Sequence, residues 1–542
     1  MKSIASVAVG AGFACVTLAM FVQGVLPALI PESSSANVTR AVRTELGDVK
    51  WIKSQATDYT AAEARGRRVY MREGCWYCHS HYVRPVANED LRWGPVSEAG
   101  EYAFDLPHSL STRRVGPDLT RVGLKYADDW HYAHHWDPRL VVPDSVMPSF
   151  KWLYRDTVTL TRREGGETRI EETAEIKRWF TFRPDQRVVL FPNAAGLTFV
   201  PPAGDGWKPI DATPTLDVSH LKTPPARLRL VTPKPELIDL VRYVQKLGTN
   251  RGVWRDAFEP QNVSVTAMTI PERPDLLDRG RAVYRRRCIG CHGPDGDGNC
   301  VAATFLSPRP RDFTGAVFKF RSTPSGSLPT DGDLFRTVTR GVRWTAMPTW
   351  HELAEKDRLA VVAWVKTFSA RWKEEKPDAP LVASAPGATP ELIAKGSELY
   401  IRAKCWECHG ESGRGDGPSA GHLKDDLDRP IRPTDFTRGQ LKGGAQVADV
   451  FRTMTNGLDG TPMPSFGDTM SDDERWAISY YVLSLSAWAD PLTGKKLELP
   501  RAAREAITSP AVVADHPRRA WAPDEGPRVA EKPRRYRWGI TD

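Results

Sequence analysis

The sequence predicts a mainly α-helical chain: one N-terminal transmembrane helix, then three small domains of one plan, the first carrying a small β-rich insertion. Three observations predict this. Residues Ile4 to Ile30 are almost wholly apolar. Cys-x-x-Cys-His occurs three times, at Cys75–His79, Cys288–His292 and Cys405–His409. Each copy follows a helical stretch in which Tyr stands four residues after Gly, and each precedes a downstream Met-Pro.

The apolar stretch comes first. Its 27 residues exceed the ~20 that a helix needs to cross a bilayer. A secretory signal has a shorter apolar core, roughly 7–15 residues, so an uncleaved anchor is the better reading. The rival is a long signal cut near Ser35-Ala36. Lys2 precedes the span and Glu32 is the first charge beyond it. Positive-inside asymmetry then puts the rest of the chain on the periplasmic face of the inner membrane.

The cysteine motif carries the chemistry. Cys-x-x-Cys-His is the attachment signature of c-type haem. Two thiols three residues apart, Cys75 and Cys78, Cys288 and Cys291, Cys405 and Cys408, can each add to one vinyl group of a porphyrin. The adjoining His79, His292 or His409 is then held beneath the iron as an axial ligand. Met147, Met347 and Met463 are the candidate sixth ligands; a thioether there favours the ferrous state. A zinc ribbon needs two Cys pairs close in sequence, whereas these lie more than a hundred residues apart. A redox dithiol has no use for the His. Three covalently bound haem c groups follow. The remaining thiols, Cys15 and Cys300, read as inert small residues.

In the first domain the helix around Ala62–Tyr70 runs into Cys75, and Leu237–Leu247 has the period of a partner helix, with Tyr243 as its aromatic and Gly248 as its C-cap. Between them, residues 153–233 read as a β-rich insertion. Thr157–Thr161 and Thr168–Ile170 flank Gly165-Gly166 as a hairpin would, and Arg187–Phe191 and Leu197–Val200 flank Asn193–Gly196 similarly. An irregular surface excursion is the alternative.

The second and third domains are an internal repeat. Gly280–Tyr284 and Gly396–Tyr400 lead in, and Asp312-Phe313-Thr314 corresponds to Asp435-Phe436-Thr437. Phe335-Arg336-Thr337 and Phe451-Arg452-Thr453 each stand twelve residues before the candidate Met. His and Met are 55 and 54 residues apart in the two units. That register selects Met463 over Met454 and Met470. Closing helices are expected at Asp357–Phe368 and Asp472–Leu485, with Trp364 and Tyr480 as their aromatics. The domain limits are 1–31 for the anchor, 32–250 for the first haem domain, 260–370 for the second, 371–390 for a Pro- and Ala-rich linker, and 391–490 for the third. Residues 491–542 mix prolines with arginines and read as a disordered tail. Such small units rely on the porphyrin for apolar core.

Net charge is +8 over 542 residues, and no basic helix interleaved with aromatics appears, so no nucleic-acid partner is expected. His131, His134 and His135 sit among Trp130, Tyr132 and Trp136; packing, or a bond to a neighbouring subunit, outweighs a metal site there. Arg285-Arg286-Arg287 reads as a solvated helix face.

Residues Gly74 to Leu153 resemble the monohaem cytochrome subunit (subunit II) of the cbb3-type haem–copper oxidases. The residues that carry this run from Cys75–Ser80 through Arg92-Trp93-Gly94-Pro95, Gly116-Pro117-Asp118-Leu119, Asp129-Trp130-His131 and Pro138–Pro143 to Met147-Pro148. The resemblance implies ligation by His79 and Met147, Pro117 near the proximal His, and docking beside a multi-span catalytic subunit that reduces oxygen. It covers under half the chain. Residues 153–233 have no place in that pattern, Ser109–Arg114 depart from it, and that subunit normally ends after one haem. The two further domains resemble generic class I cytochromes c, and residues 260–490 would take the place of the separate dihaem subunit that feeds electrons inward. The function implied is a membrane-anchored trihaem electron-transfer subunit with no catalytic residues of its own, taking electrons from a soluble cytochrome or a membrane donor. Alternatives are the donor subunit of a nitric oxide reductase, a free-standing anchored shuttle, or a peroxidase with one open haem.

Overall fold

The computed structural model describes residues 3–29, 35–161, 227–258 and 268–497, apart from short breaks at 87, 112, 299, 301, 307 and 427–430, together with short strands between 167 and 217. Helix α1 (Ile4–Met20) continues through a π turn at Phe21–Val25 to Leu29. Among the described residues this is the single helix long and apolar enough to cross a membrane, and none of its span is buried against protein. Its large side chains, such as Phe13 and Leu18, are exposed, as a bilayer-facing helix requires.

Each haem-motif region is built on one crossed helix pair. In the first, α2 (Ala61–Arg72) crosses α4 (Pro235–Lys246), with α3 (Asp128–Trp136) between them in sequence. In the second, α5 (Pro274–Arg287) crosses α7 (Glu355–Lys366), and α6 (Asp331–Arg340) leads to the Met turn. In the third, α8 (Pro390–Arg402) crosses α10 (Asp472–Ser484), with α9 (Val447–Asn456) in the equivalent place. Helix starts follow from local chemistry. Pro occupies the first turn of α4, α5 and α8, where a missing N–H costs nothing. Reciprocal caps start α2 (Thr60, Glu63), α6 (Thr330, Asp333) and α10 (Ser471, Glu474).

The expected glycines set the crossing points. A Cβ on Gly66 would lie 1.9 Å from the Asp239 oxygen, on Gly280 2.1 Å from the Ala360 oxygen, and on Gly396 2.0 Å from the Ala477 oxygen. Tyr243, Trp364 and Tyr481 pack over these glycines. Tyr481 corrects the expectation of Tyr480: it stands one turn after Ala477 and so shares its face, while the Tyr480 hydroxyl donates to the Pro386 oxygen of the linker.

A hairpin absent from the expectations, β1 (Asn37–Arg43) with β2 (Val49–Gln55), precedes α2. The insertion is also rearranged. Strand β3 (Tyr154–Thr161) pairs antiparallel with β4 (Arg227–Pro233), and Glu167–Arg169 pairs with Thr215–Asp217. Among the described residues the two strands expected to flank Gly165-Gly166 as a hairpin are not paired with each other: the long strands at the two ends of the insertion close on each other. Pro192–Asn193 and Gly196–Thr198 do pair antiparallel, near the second expected turn. The first residues of the expected tail are placed, with Leu497 packed against the core pair Val42 and Ile52 of the hairpin; the rest of that tail lies outside the described residues.

The three regions pack on one another. One apolar cluster joins Tyr70, Trp136 and Tyr243 of the first to Ala302, Phe305, Leu306 and Ala346 of the second. The third region touches the hairpin through Arg40–Asp490 at 3.1 Å, and the second through Arg321–Asp459 at 2.7 Å and Arg336–Asp449 at 2.8 Å. Buried Asp256 accepts from Arg43 and from Arg343, each at 2.5 Å.

Candidate haem-binding sites

The three Cys-x-x-Cys-His segments fold alike because each leaves a lead-in helix in a single tight turn, at Cys75–Tyr77, Ile289–His292 and Trp406–His409. The backbone N–H of each His donates to the carbonyl of the first Cys, at 3.1, 2.9 and 3.0 Å. All six thiols are free.

Each His is then fixed by a backbone carbonyl. His79 Nδ1 lies 2.8 Å from the Pro117 oxygen, His292 Nδ1 3.1 Å from that of Arg311, and His409 Nδ1 3.4 Å from that of Thr434. A ring nitrogen that donates there leaves Nε2 as an unprotonated lone pair, the arrangement a metal-ligating imidazole needs. Burial pushes the imidazoles below their ordinary range, His292 and His409 to about 4, and His79 in the same direction. They are neutral at pH 7. The closeness of His79 to Pro117 is the contact that the resemblance implied.

The second face of each ring is packed. Phe313 stacks on His292 and Phe436 on His409, each at 4.4 Å between centroids. The first site uses backbone instead: a Cβ on Gly116 would be 2.3 Å from His79 Cε1. The Asp-Phe-Thr repeat was visible in sequence, but its stacking role was not. After the His, Gly293 and Gly410 take φ of 77°, and the lead-in tyrosines Tyr284 and Tyr400 donate to their carbonyls, both at 2.7 Å. At the first site Ser80 stands in that place. Its hydroxyl donates to Asp118 at 2.6 Å and accepts from Arg114 at 2.7 Å, and the Tyr70 ring lies 5.0 Å from that of His81.

The three candidate methionines share a turn that the sequence reading missed. A hydroxyl two residues earlier accepts from the Met N–H: Ser145 to Met147 at 3.2 Å, Thr345 to Met347 at 3.1 Å, Thr461 to Met463 at 3.2 Å. In the repeat, Val342 N donates to the Met347 oxygen and Leu458 N to that of Met463, at 3.0 and 3.1 Å. The common signal was Ser/Thr-x-Met-Pro. Met147 packs on the cluster that holds Cys75 and Trp76, and Met463 on the cluster that holds Cys405 and Trp406. Of the two competitors, Met454 is a buried core residue of α9, and Met470 packs on the same cluster as Met463.

The donor set fits a covalently held haem. Burial pushes Cys75 and Cys288 up to about 12 and Cys405 to about 11, so they stay protonated. Thiol–disulfide exchange needs the thiolate, so burial disfavours a redox role for the first thiol of each pair. His131, His134 and His135 lie within the first core: His134 stacks on Trp130 at 4.5 Å, and His135 Nδ1 lies 2.7 Å from the His131 oxygen. Arg285, Arg286 and Arg287 are exposed. Cys300 donates its thiol to the Cys291 oxygen at 2.7 Å.

Residues 28–183 match the family described as cytochrome c oxidase, mono-heme subunit/FixO. Residues 275–365 match cytochrome c oxidase, cbb3-type, subunit III, and residues 393–486 match cytochrome c. The second match is more specific than the generic cytochrome expected there. The chain is similar to the cbb3-type cytochrome c oxidase subunit FixP of Azorhizobium caulinodans, 25% identical over 43% of this chain and 68% of that protein. It is similar to the subunit CcoP of Helicobacter pylori, 27% identical over 26% of this chain and 40% of that one. With the thiosulfate dehydrogenase of Allochromatium vinosum it shares 34% identity over 17% of this chain and 35% of the other. The last two are thus matched over less than half their length. Among solved structures, a chain of the Kuenenia stuttgartiensis reducing HAO-like protein complex is 43% identical over 40% of this chain and 99% of its own, with a TM-score of 0.39. Covalently bound haem c and an electron-transfer role follow from the cytochrome c matches.

Proposed function

Starting from a chain that joins a mono-haem cbb3-type oxidase module to two further cytochrome c domains, we propose that it is a membrane-anchored trihaem cytochrome passing electrons to the catalytic subunit of a cbb3-type oxygen reductase. The observation that carries this is the threefold recurrence of one donor geometry: a neutral imidazole tied through Nδ1 to a carbonyl, two free thiols, and a Met on a hydroxyl-capped turn. Each haem, when bound, supplies one-electron exchange between ferric and ferrous iron.

The chain's residues do the rest. Cys75, Cys78, Cys288, Cys291, Cys405 and Cys408 would hold the macrocycles through thioether bonds, His79, His292 and His409 would ligate the irons, and Met147, Met347 and Met463 would supply the second protein ligands. Helix α1 tethers the haem domains to the periplasmic side of the inner membrane. The second domain's pairing with the first through one apolar core supports delivery to the first domain, which follows α1 in sequence. A soluble cytochrome or a membrane donor supplies the electrons.

A pyridine haemochrome assay on full-length protein should give three haem c per chain, with the near-infrared ferric band of Met ligation at all three and no carbon monoxide binding. Affinity purification from the native membrane should bring down a multi-span subunit containing haem b and copper. Strong carbon monoxide binding, or purification without such a subunit, would count against the reading.

A further inference from the structure

The second and third domains follow one plan, and two of the places where they differ meet across their boundary. The first is in the methionine turn. Val342 N donates to the Met347 oxygen as Leu458 N does to that of Met463. The Thr345 and Thr461 hydroxyls donate back to the Val342 and Leu458 oxygens, at 2.6 and 2.7 Å. That register equates Trp344 with Gly460. Both take the left-handed backbone, Gly460 at φ 72° and Trp344 at φ 58°. Glycine adopts it freely, whereas a bulky residue is strained there.

The second difference is in the turn beside the axial His. Asp312-Phe313-Thr314 is followed by Gly315, and Asp435-Phe436-Thr437 by Arg438. A Cβ on Gly315 would meet nothing within 4 Å. Arg438 instead ends the 3-10 turn Phe436–Arg438, whose Phe436 stacks on His409. Its guanidinium carbon lies 4.7 Å from the centre of the Trp344 ring, well within the reach of a cation–π contact. Each domain thus supplies one residue where the other has glycine, and those two residues touch.

Trp344 is half-buried, and its indole Nε1 has no hydrogen-bond partner among the described residues. A strained residue persists only where its surroundings over-determine it, and such residues gather at functional positions. Trp344 precedes Thr345, whose hydroxyl accepts from the Met347 N–H at 3.1 Å. Arg438 is tied to its own turn by Asp435 at 3.1 Å. The pair therefore joins the methionine side of the second site to the histidine side of the third. Arg438 has a further influence: burial pushes the Asp128 carboxyl of the first domain up, while Gln245, Arg438 and Arg242 pull it down. Trp344 is the cleaner member to alter. We propose that Trp344 and Arg438 are positioning residues, a cation–π latch that fixes the third domain on the second and so sets the rate at which electrons pass between their haems. This rests on the trihaem reading.

The test uses the full-length, detergent-solubilised holoprotein with Trp344→Gly and Arg438→Gly, each the residue of the other domain, and with both together. Trp344→Tyr keeps a ring, and exposed Arg286→Gln is the charge control. Haem content is counted first: fewer than three haems tells against the trihaem reading, and the latch is then judged on amide exchange alone. Hydrogen–deuterium exchange read by mass spectrometry should quicken severalfold over residues 435–440 in Trp344→Gly, although the substitution is in the other domain. Calorimetry should leave the second domain's own transition in place, because glycine suits that backbone. Flash photolysis should show electron transfer between the second and third haems slowed severalfold, and to the same extent in each single variant and the double one. Trp344→Tyr should retain most of the rate and Arg286→Gln all of it. Unchanged exchange overturns the proposal even where the rate falls, since Trp344 would then be an electronic bridge. An unchanged rate, additive losses in the double variant, or a lowered second-domain transition in Trp344→Gly overturns it as well.

Discussion

Gly290, inside the second Cys-x-x-Cys-His, lies against the backbone of Leu140 in the first domain: a Cβ on it would stand 2.4 Å from the Leu140 oxygen. Leu140 ends a short 3-10 turn at Pro138–Leu140 whose Arg139 donates to the Met147 oxygen at 3.3 Å. The thiol segment of one site therefore rests on the methionine segment of another. Gly290→Val should force the domains apart at a cost of about 1–3 kcal/mol, typical of overpacking. Electron transfer between the first and second haems, followed by flash photolysis, should slow severalfold with haem content intact. An unchanged rate would detach that contact from function.

Gly396→Val should weaken the third helix pair, since the Ala477 oxygen 2.0 Å from the new Cβ is backbone and cannot step aside. A loss of about 1–3 kcal/mol is expected, and each kcal/mol should lower the melting temperature of a domain this size by roughly 4–8 °C. Calorimetry should show the third domain's transition moving while the others stay.

Met463→Ala should abolish one of the three near-infrared ferric bands, and Met454→Ala should keep all three while destabilising the core by about 2–5 kcal/mol. Loss of a band in Met454→Ala instead would reassign the ligand. Thr461→Val, which removes the acceptor for the Met463 N–H, should keep the band at a cost of about 1 kcal/mol.

Asp256→Ala should loosen the junction of hairpin and second domain, because Arg43 and Arg343 both lose a buried carboxylate. Removing one partner from a buried ion pair costs about 3–5 kcal/mol. Limited proteolysis should cut the variant faster around the hairpin.

Acid should weaken the first domain through Glu89. Its hydrogen bonds from Arg114, and then from Arg84, hold the carboxyl at about 2, below its ordinary range. A lowered folded-state value contributes stability that is complete above the unfolded carboxyl's range, about 4.3, and is lost as pH falls through about 2. Thermal unfolding between pH 5 and pH 2.5 should show this slope, and Glu89→Gln should flatten it.

Much of each site was legible in advance because it is local. Cys, Cys and His share one turn; Gly and Tyr four residues apart share one helix face. The repeat register carried Met347 and Met463. Choosing Tyr480 over Tyr481 failed because the face of α10 that meets α8 is set by where Gly396 lands, at Ala477. The β1–β2 hairpin escaped because Arg40 and Arg43, 2% and 3% exposed, interrupt the alternation that marks a half-buried strand.

The sequence by itself determined the apolar N-terminal helix, the three Cys-x-x-Cys-His segments with their candidate imidazole and thioether donors, and the doubled plan of the second and third domains, since all of these are written in short-range spacing. Only the tertiary structure decided how the units meet. Arg40 finds Asp490 across 450 residues, and Arg43 and Arg343 share Asp256. Such charges can be buried only once their partners arrive from distant parts of the chain, and no local pattern encodes that meeting.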